Sequence, residues 1–222
     1  MTANREDYLK QLYRLEQAGG SASNKQLAEA LGIAPASVSE MLAKLKKEGL
    51  IRYEAYKGTG LTDEGRRKAV ELLRGHRLWE VFLREHLGYS WSEAHEDAEL
   101  LEHVAPVRLM ERLDAYLNHP AHCPHGEPIP RSGEQDAQAP LIPLSQVSVG
   151  RHILLRKVRE ERELMDYLEA LNIRLGVPAI VEAVGAYEGP VSLTIDGKDV
   201  TLSHKAAEQI FVEGIEHNER TN

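Results

Sequence analysis

Apolar residues recur at helical spacing through the first half of the chain and at strand spacing through its last third. Tyr8, Leu9, Leu12 and Leu15, with Tyr13 beside them, form one face of a first helix. Asn24 opens a short second helix containing Leu27, Ala28 and Leu31, and Gly32 breaks it. Pro35 suits the first turn of a third helix, where its missing N–H leaves no bond unmade. That helix, PASVSEMLAKLKKEG, buries Val38, Leu42 and Leu45 and turns Ser37, Glu40, Lys44 and Lys47 outward. Gly49 ends it. LIRYEAYKGTGLT then sets β-branched and aromatic residues on both sides of a Lys-Gly-Thr-Gly turn, the pattern of a β-hairpin. Thr62 or Asp63 can cap a long helix reaching about His86, despite Gly65 and Gly75. Ser90 or Ser92 can cap the next, and Pro106 opens another that runs to about Tyr116.

The pattern changes between Asn118 and Pro143, where six of the ten prolines fall. HPAHCPHGEPIP begins this linker and RSGEQDAQAP continues it. Beyond it, RHILLRKV, AIVEAVGAY, PVSLTI, DVTLS and QIFVE are strand-length runs, with turns at Gly189-Pro190 and Asp196-Gly197. One helix, about Glu161 to Leu171, interrupts them. The expected fold is mainly α with a C-terminal β-barrel. Its expected segments are 1–73, 74–138 with the start of the linker, and 139–222.

Helix, short helix, tight turn, helix and hairpin is the order of a winged helix-turn-helix, whose second turn helix fits the major groove of duplex DNA. Ser37, Ser39 and Glu40 lie near the start of that helix, where base edges are reached. Lys44 and Lys47 further along, and Lys57 in the wing, suit phosphates. A solvated amphipathic helix would show the same face. The turn before it and the Lys-Gly hairpin after it favour DNA.

The net charge of −8 at first argues against a nucleic-acid partner. It is unevenly spread. Residues 1–74 carry 13 Lys/Arg against 10 Asp/Glu, residues 75–138 carry 5 against 12, and residues 139–222 carry 9 against 13. The basic third is the one that reads as DNA-binding, and modest basic charge implies weak nonspecific affinity. A hydrophobic content of 42% and a charged content of 28% suit a soluble globular protein. No run of about 18 apolar residues could span a membrane. The single cysteine, Cys123, cannot form an internal disulfide, and MTANREDYLK lacks the apolar core of a signal peptide, so a cytoplasmic protein is expected.

The acidic middle third holds seven of the ten histidines. His95, Glu99 and His103 recur every fourth residue, with Glu102 one turn after Glu99. On a helix these four side chains fall within a stripe roughly 100° wide. His76 and Glu80 are likewise one turn apart. Imidazoles and carboxylates on one face point to a bound cation. An acidic face with incidental histidines is the plainer alternative.

EDYL near the N-terminus, LGIAPASVSEMLAKLKKEGL, HRLWE, HEDAELLEH, CPHGEPIP and the C-terminal strand pattern together resemble the diphtheria-toxin-repressor family, and within it the manganese transport regulators. The resemblance spans nearly the whole chain. It implies a homodimeric, metal-dependent repressor with a winged-helix domain, a helical metal-binding and dimerisation domain, and an SH3-like domain of the ferrous-transport-A type. By position it implies a primary metal site of Asp7, Glu99, Glu102 and His103, joined by Cys123. It also implies an ancillary site of His76, Glu80 and His95 with a carboxylate from the C-terminal domain, Glu160 first and Glu163 second. His119, His122 and His125 are expected to be solvated or to sit behind the ligands. Lys10 stands where the short two-domain manganese regulators offer a carboxylate, so two separate sites per subunit are expected rather than one bridged pair.

Oxygen and imidazole donors suit Mn²⁺, or Fe²⁺ as the alternative, with Zn²⁺ or Co²⁺ able to substitute in vitro. A dimer implies a roughly palindromic operator. Two other classes compete. A metal-dependent hydrolase could use clustered His and Glu to activate water. The sequence has no HExxH, no paired Glu-x-x-His and no Gly-rich phosphate loop, and an enzyme would leave the winged helix unexplained. A winged-helix regulator sensing a small organic ligand is the third. The expectation is a non-enzymatic regulator with no small-molecule substrate and no membrane partner.

Overall fold

The first helix, α1 (Arg5–Gln17), buries Tyr8, Leu9 and Leu12 on one face. Helix α2 (Asn24–Leu31) starts with a capping box: the Ser23 hydroxyl accepts the Gln26 N–H at 3.2 Å, and Gln26 Oε1 accepts the Ser23 N–H at 3.0 Å. Gly32, at φ +64°, closes it and lets the chain turn sharply into α3 (Pro35–Lys47). Pro35 occupies the first turn of α3, as its fixed φ favours. Leu27, Val38, Leu42 and Leu45 meet the α1 face and the hairpin residues Leu50, Ile51 and Leu61 in one core. Each large side chain buried there contributes roughly 1.5–3 kcal/mol.

The structure is a computed structural model and describes residues 5–17, 22–54, 58–131 and 141–215. The chain divides into two compact units. The N-terminal unit comprises Met1–His76, Leu100–Met110 and Pro130–Ser132, and the C-terminal unit comprises Arg77–Glu99, Glu111–Ile129 and Gly133–Asn222. Among the described residues, no helix is long and apolar enough to cross a membrane.

The wing is an antiparallel pair, β1 (Ile51–Glu54) and β2 (Gly58–Leu61), in the register Ile51↔Leu61 to Glu54↔Gly58. Gly58, Thr59 and Gly60 therefore belong to a strand rather than to the expected turn. Lys57 lies outside the described residues. Helix α4 (Asp63–Leu87) is capped by Thr62, whose hydroxyl accepts the Gly65 N–H at 3.1 Å. Helix α5 (Trp91–Leu101) has a second capping box, formed by Ser90 and Glu93. It ends at Leu101, where the Val104 N–H bonds Leu101 at 3.2 Å and Pro106 follows. Glu102 and His103, expected on the helix, therefore sit in the turn before α6 (Val107–Tyr116).

In the C-terminal unit, β3 (Ile142–Pro143), β4 (His152–Val158), β5 (Pro178–Val184), β6 (Val191–Ile195), β7 (Lys198–Leu202) and β8 (Ile210–Gly214) form one antiparallel sheet in the order β3-β8-β4-β5-β6-β7. The expected barrel is a sheet whose end strands, β3 and β7, do not pair with each other among the described residues. Register shifts at Leu155/Lys157 and Val181/Ala183 bend it at bulges. Helix α7 (Arg162–Ala170) packs Leu164, Met165 and Leu168 into its core. The short strand β3 and the one-turn helix α8 (His204–Ala207) had no pattern long enough to be foreseen.

Gly65 explains itself by a close approach. A Cβ at this position would lie 1.9 Å from the Leu50 carbonyl oxygen, whereas one at Gly75 would meet nothing nearer than Met110 Sδ at 3.5 Å. Gly65→Ala should therefore destabilise the protein by about 2–3 kcal/mol through a forced backbone shift. Gly75→Ala should stabilise it by about 0.5–1 kcal/mol through helix propensity. Urea unfolding of the two variants checks the opposite signs.

Candidate metal centres and the DNA-facing helix

In the N-terminal unit, Asp7 projects from α1 towards the turn carrying Glu102 and His103. One ligand atom from each of the three lies within 4.8 Å of the others. His103 Nε2 is 3.0 Å from Asp7 Oδ1 and 3.4 Å from Glu102 Oε1, and its Nδ1 is 2.7 Å from Glu6 Oε2. Glu102 is fully buried. Its Oε1 accepts a hydrogen bond from Lys10 Nζ at 2.6 Å, and its Oε2 is 2.8 Å from His76 Nδ1. Two carboxylates and an imidazole, partly or wholly out of water, fit a divalent cation with hard or borderline preference.

In the C-terminal unit a second set gathers around Glu80, which is fully buried on α4. Glu80 Oε1 lies 2.9 Å from His95 Nδ1 and 3.2 Å from His125 Nδ1. Glu160, just before α7, reaches within 4.0 Å of His95 Nδ1. Glu80, Cys123, His125 and Glu160 offer ligand atoms all within 4.8 Å of one another. Burial, with the Glu80 and Glu160 carboxylates alongside, pushes the Cys123 thiol well above its usual range. Two carboxylates, a sulfur and an imidazole fit a divalent cation whose charge would offset theirs.

A tight turn presents Cys123 and His125. The Cys123 N–H bonds the Glu127 carbonyl and the Gly126 N–H bonds the Cys123 carbonyl, both at 2.9 Å. Gly126, at φ +84°, lets the turn lie against β4, where a Cβ would come 1.9 Å from the Arg156 carbonyl oxygen. The His125 carbonyl accepts the Val158 N–H at 3.0 Å. Arg77 donates to the Pro128 carbonyl and Glu127, and Lys157 pairs with Glu127 at 2.7 Å. Trp91 meets the His125 ring edge-on at 5.9 Å.

These positions depart from the expected sets in two ways. Cys123, expected beside Asp7, joins Glu80, His125 and Glu160, because the turn aims its thiol at α4. His125, expected to be solvated or behind the ligands, is fully buried among them. Glu99 Oε1 lies 3.8 Å from His95 Nε2, and His76 Nδ1 lies 2.8 Å from Glu102 Oε2. Glu163 lies on the exposed side of α7, whereas Glu160 turns inward. His119 and His122 are exposed, as expected. The spacing Cys123-x-His125 was the available signal for the missed imidazole.

Ser37, Ser39, Glu40, Lys44 and Lys47 all lie exposed on α3. Ser39 Oγ donates to the Pro35 carbonyl at 3.2 Å and accepts from Asn24 Nδ2 at 2.9 Å, which ties it to α2. Lys44 pairs with Glu40 at 2.8 Å and holds the Glu40 carboxyl below its usual range. The Tyr8 hydroxyl, one residue from Asp7, reaches the Ser37 carbonyl at 3.5 Å.

A helix-turn-helix with an exposed polar helix and ligand clusters that include its first helix defines a metal-dependent DNA-binding regulator. The matches to known proteins narrow this. Residues 1–59 match the iron-dependent-repressor N-terminal DNA-binding domain, 62–131 that repressor's metal-binding and dimerisation domain, and 142–214 the FeoA domain. The iron-dependent repressor IdeR of Mycobacterium tuberculosis is 30% identical over 95% of this chain and 96% of its own. The solved manganese regulator SloR is 38% identical, covering 97% of this chain and 100% of its own, with a TM-score of 0.76. A manganese-dependent transcriptional repressor solved with manganese is 34% identical, covering 96% and 100%, with a TM-score of 0.82. The chain belongs to the iron-dependent, or diphtheria-toxin, repressor family and is a metal-dependent transcriptional repressor.

The two clusters differ in one donor, which makes them separable. With Co²⁺, a sulfur-to-cobalt charge-transfer band should form, vanish in Cys123→Ser and persist in Asp7→Ala. Loss of the band in Asp7→Ala would place the sulfur at the other centre.

Proposed function

We propose that the protein represses transcription in response to Mn²⁺, binding a roughly palindromic operator as a cytoplasmic homodimer. Each subunit would bear two separate metal sites. Asp7, Glu102 and His103 would form the primary site, and Glu80, His95, Cys123, His125 and Glu160 supply the ancillary one. The observation that carries this reading is Asp7 of α1 lying within ligand reach of Glu102 and His103. When bound, the ion supplies positive charge that offsets clustered carboxylates.

The residues transmit this to DNA through short connections. Asp7, Glu102 and His103, holding one ion together, fix α1 against the turn after α5. Tyr8, next to Asp7, bears on the Ser37 carbonyl at the start of α3. Fixing α1 thereby steadies the helix that faces DNA, and the DNA-competent arrangement becomes the more populated one. Ser37, Ser39 and Glu40 would reach base edges, and Lys44 and Lys47 phosphates. Glu160, held with Glu80 and His125, would tie the C-terminal sheet to α4. Linkage requires that DNA tighten metal binding by the factor by which metal tightens DNA binding.

Mn²⁺ is preferred because Asp7, Glu102 and His103 offer only oxygen and imidazole. Fe²⁺ is the second reading, favoured by the family's iron-dependent members such as IdeR. Affinity alone would favour Zn²⁺ or Cu²⁺, so selectivity rests on geometry and on which ion is available.

Selection from a random duplex pool in Mn²⁺, repeated in Fe²⁺, followed by gel shift of the recovered duplex with metal or chelator, tests the reading. Binding should be lost with chelator. Asp7→Ala should abolish the metal response, and Glu160→Ala should weaken it. Equal DNA affinity with metal and with chelator would end the proposal. Lys47→Ala should weaken binding across all sequences and reduce the salt slope by about 1.

A further inference from the structure

Lys10 is 2% exposed, an unusual place for an ammonium. It follows Asp7 by one helical turn on α1, so a proposed metal ligand and a cation share one face. Its Nζ lies 2.6 Å from Glu102 Oε1, the same oxygen that lies 3.4 Å from His103 Nε2. The ammonium thus engages an oxygen that borders the Asp7–Glu102–His103 cluster. A dication approaching this oxygen meets like-charge repulsion and must share the carboxylate with Lys10 or displace it. The four-carbon stem of lysine makes displacement mechanically easy, but leaving Glu102 forfeits a buried charge pair.

Resting on the metal-site reading above, we propose that Lys10 is a built-in competitor for Glu102 that sets the metal concentration at which the primary centre fills. Lys10 compensates the carboxylate when metal is scarce and weakens the centre's grip on metal at every concentration. The protein then responds to a rise in metal rather than holding an ion permanently. Lys10 is a positioning residue here; it touches Glu102 and coordinates nothing.

The two consequences of removing its charge have opposite signs. Lys10→Met keeps most of the packing volume but leaves Glu102 without its ammonium. The metal-free protein should therefore unfold at a lower temperature. Its Mn²⁺ affinity should rise, with the midpoint falling at least about tenfold. A purely structural lysine would give the first effect without the second.

The test is calorimetric titration of the full chain with Mn²⁺ alone, with thermal unfolding in chelator and in Mn²⁺. The component of wild-type binding that Asp7→Ala removes identifies the primary centre. That component should tighten at least about tenfold in Lys10→Met and move less in Lys10→Arg, which keeps the charge. Mn²⁺ should return the unfolding temperature of Lys10→Met to near the wild-type value. Should Lys10→Met fail to fold, Lys10→Gln, whose amide can still donate to Glu102, should tighten in the same direction. Folded Met or Gln variants binding Mn²⁺ no better than wild type would overturn the proposal and leave the metal reading standing. Wild-type protein showing no Asp7-dependent Mn²⁺ binding would remove both.

Discussion

A carboxylate taken out of water needs positive charge or hydrogen-bond donors around it, and in this protein two such carboxylates organise their surroundings. Glu102 draws Lys10 of α1, His103 and His76 around itself. Glu80 draws His95 of α5 and His125 of the linker turn. Each assembly joins segments far apart in the chain. Each gathers carboxylates and imidazoles within ligand distance of one another, which is the property a metal sensor exploits.

Much of the helical half was legible because its cues are local. Gly32, Pro35, Thr62 and Ser90 act within a few residues of themselves, so cap and turn chemistry reads directly as element boundaries. Five of the six strands of the C-terminal sheet were legible as strand-length apolar runs between turns; β3 was too short to show one. The end of α5 was not, because HEDAELLEH continues its period past Leu101 while Pro106 and the Val104 turn stop the helix. Gly65 looked like a flaw in α4 and is a contact with the Leu50 carbonyl.

The candidate sites were legible as residue types and less so as sets. Asp7, Glu102 and His103 do come together, as do Glu80, His95 and Glu160. Cys123 and His125 were misjudged because their partners depend on how the turn docks on β4, and no periodicity reports that. In the sequence Lys10 stands out only as a departure from a carboxylate position of the short manganese regulators. Only the fold reveals that it faces Glu102.

The His125 residue works in two directions at once. Its ring faces Glu80 on α4, while its carbonyl holds Val158 of β4 through the backbone. The turn is thus stitched into the sheet although it lies at the start of the Pro-rich linker. For modular evolution this moves the natural seam upstream. A recombination event that exchanged only residues 142–214 would mismatch Gly126 with an unfamiliar β4. Inheritance of that domain as a working part therefore favours carrying residues 122–128 along with it.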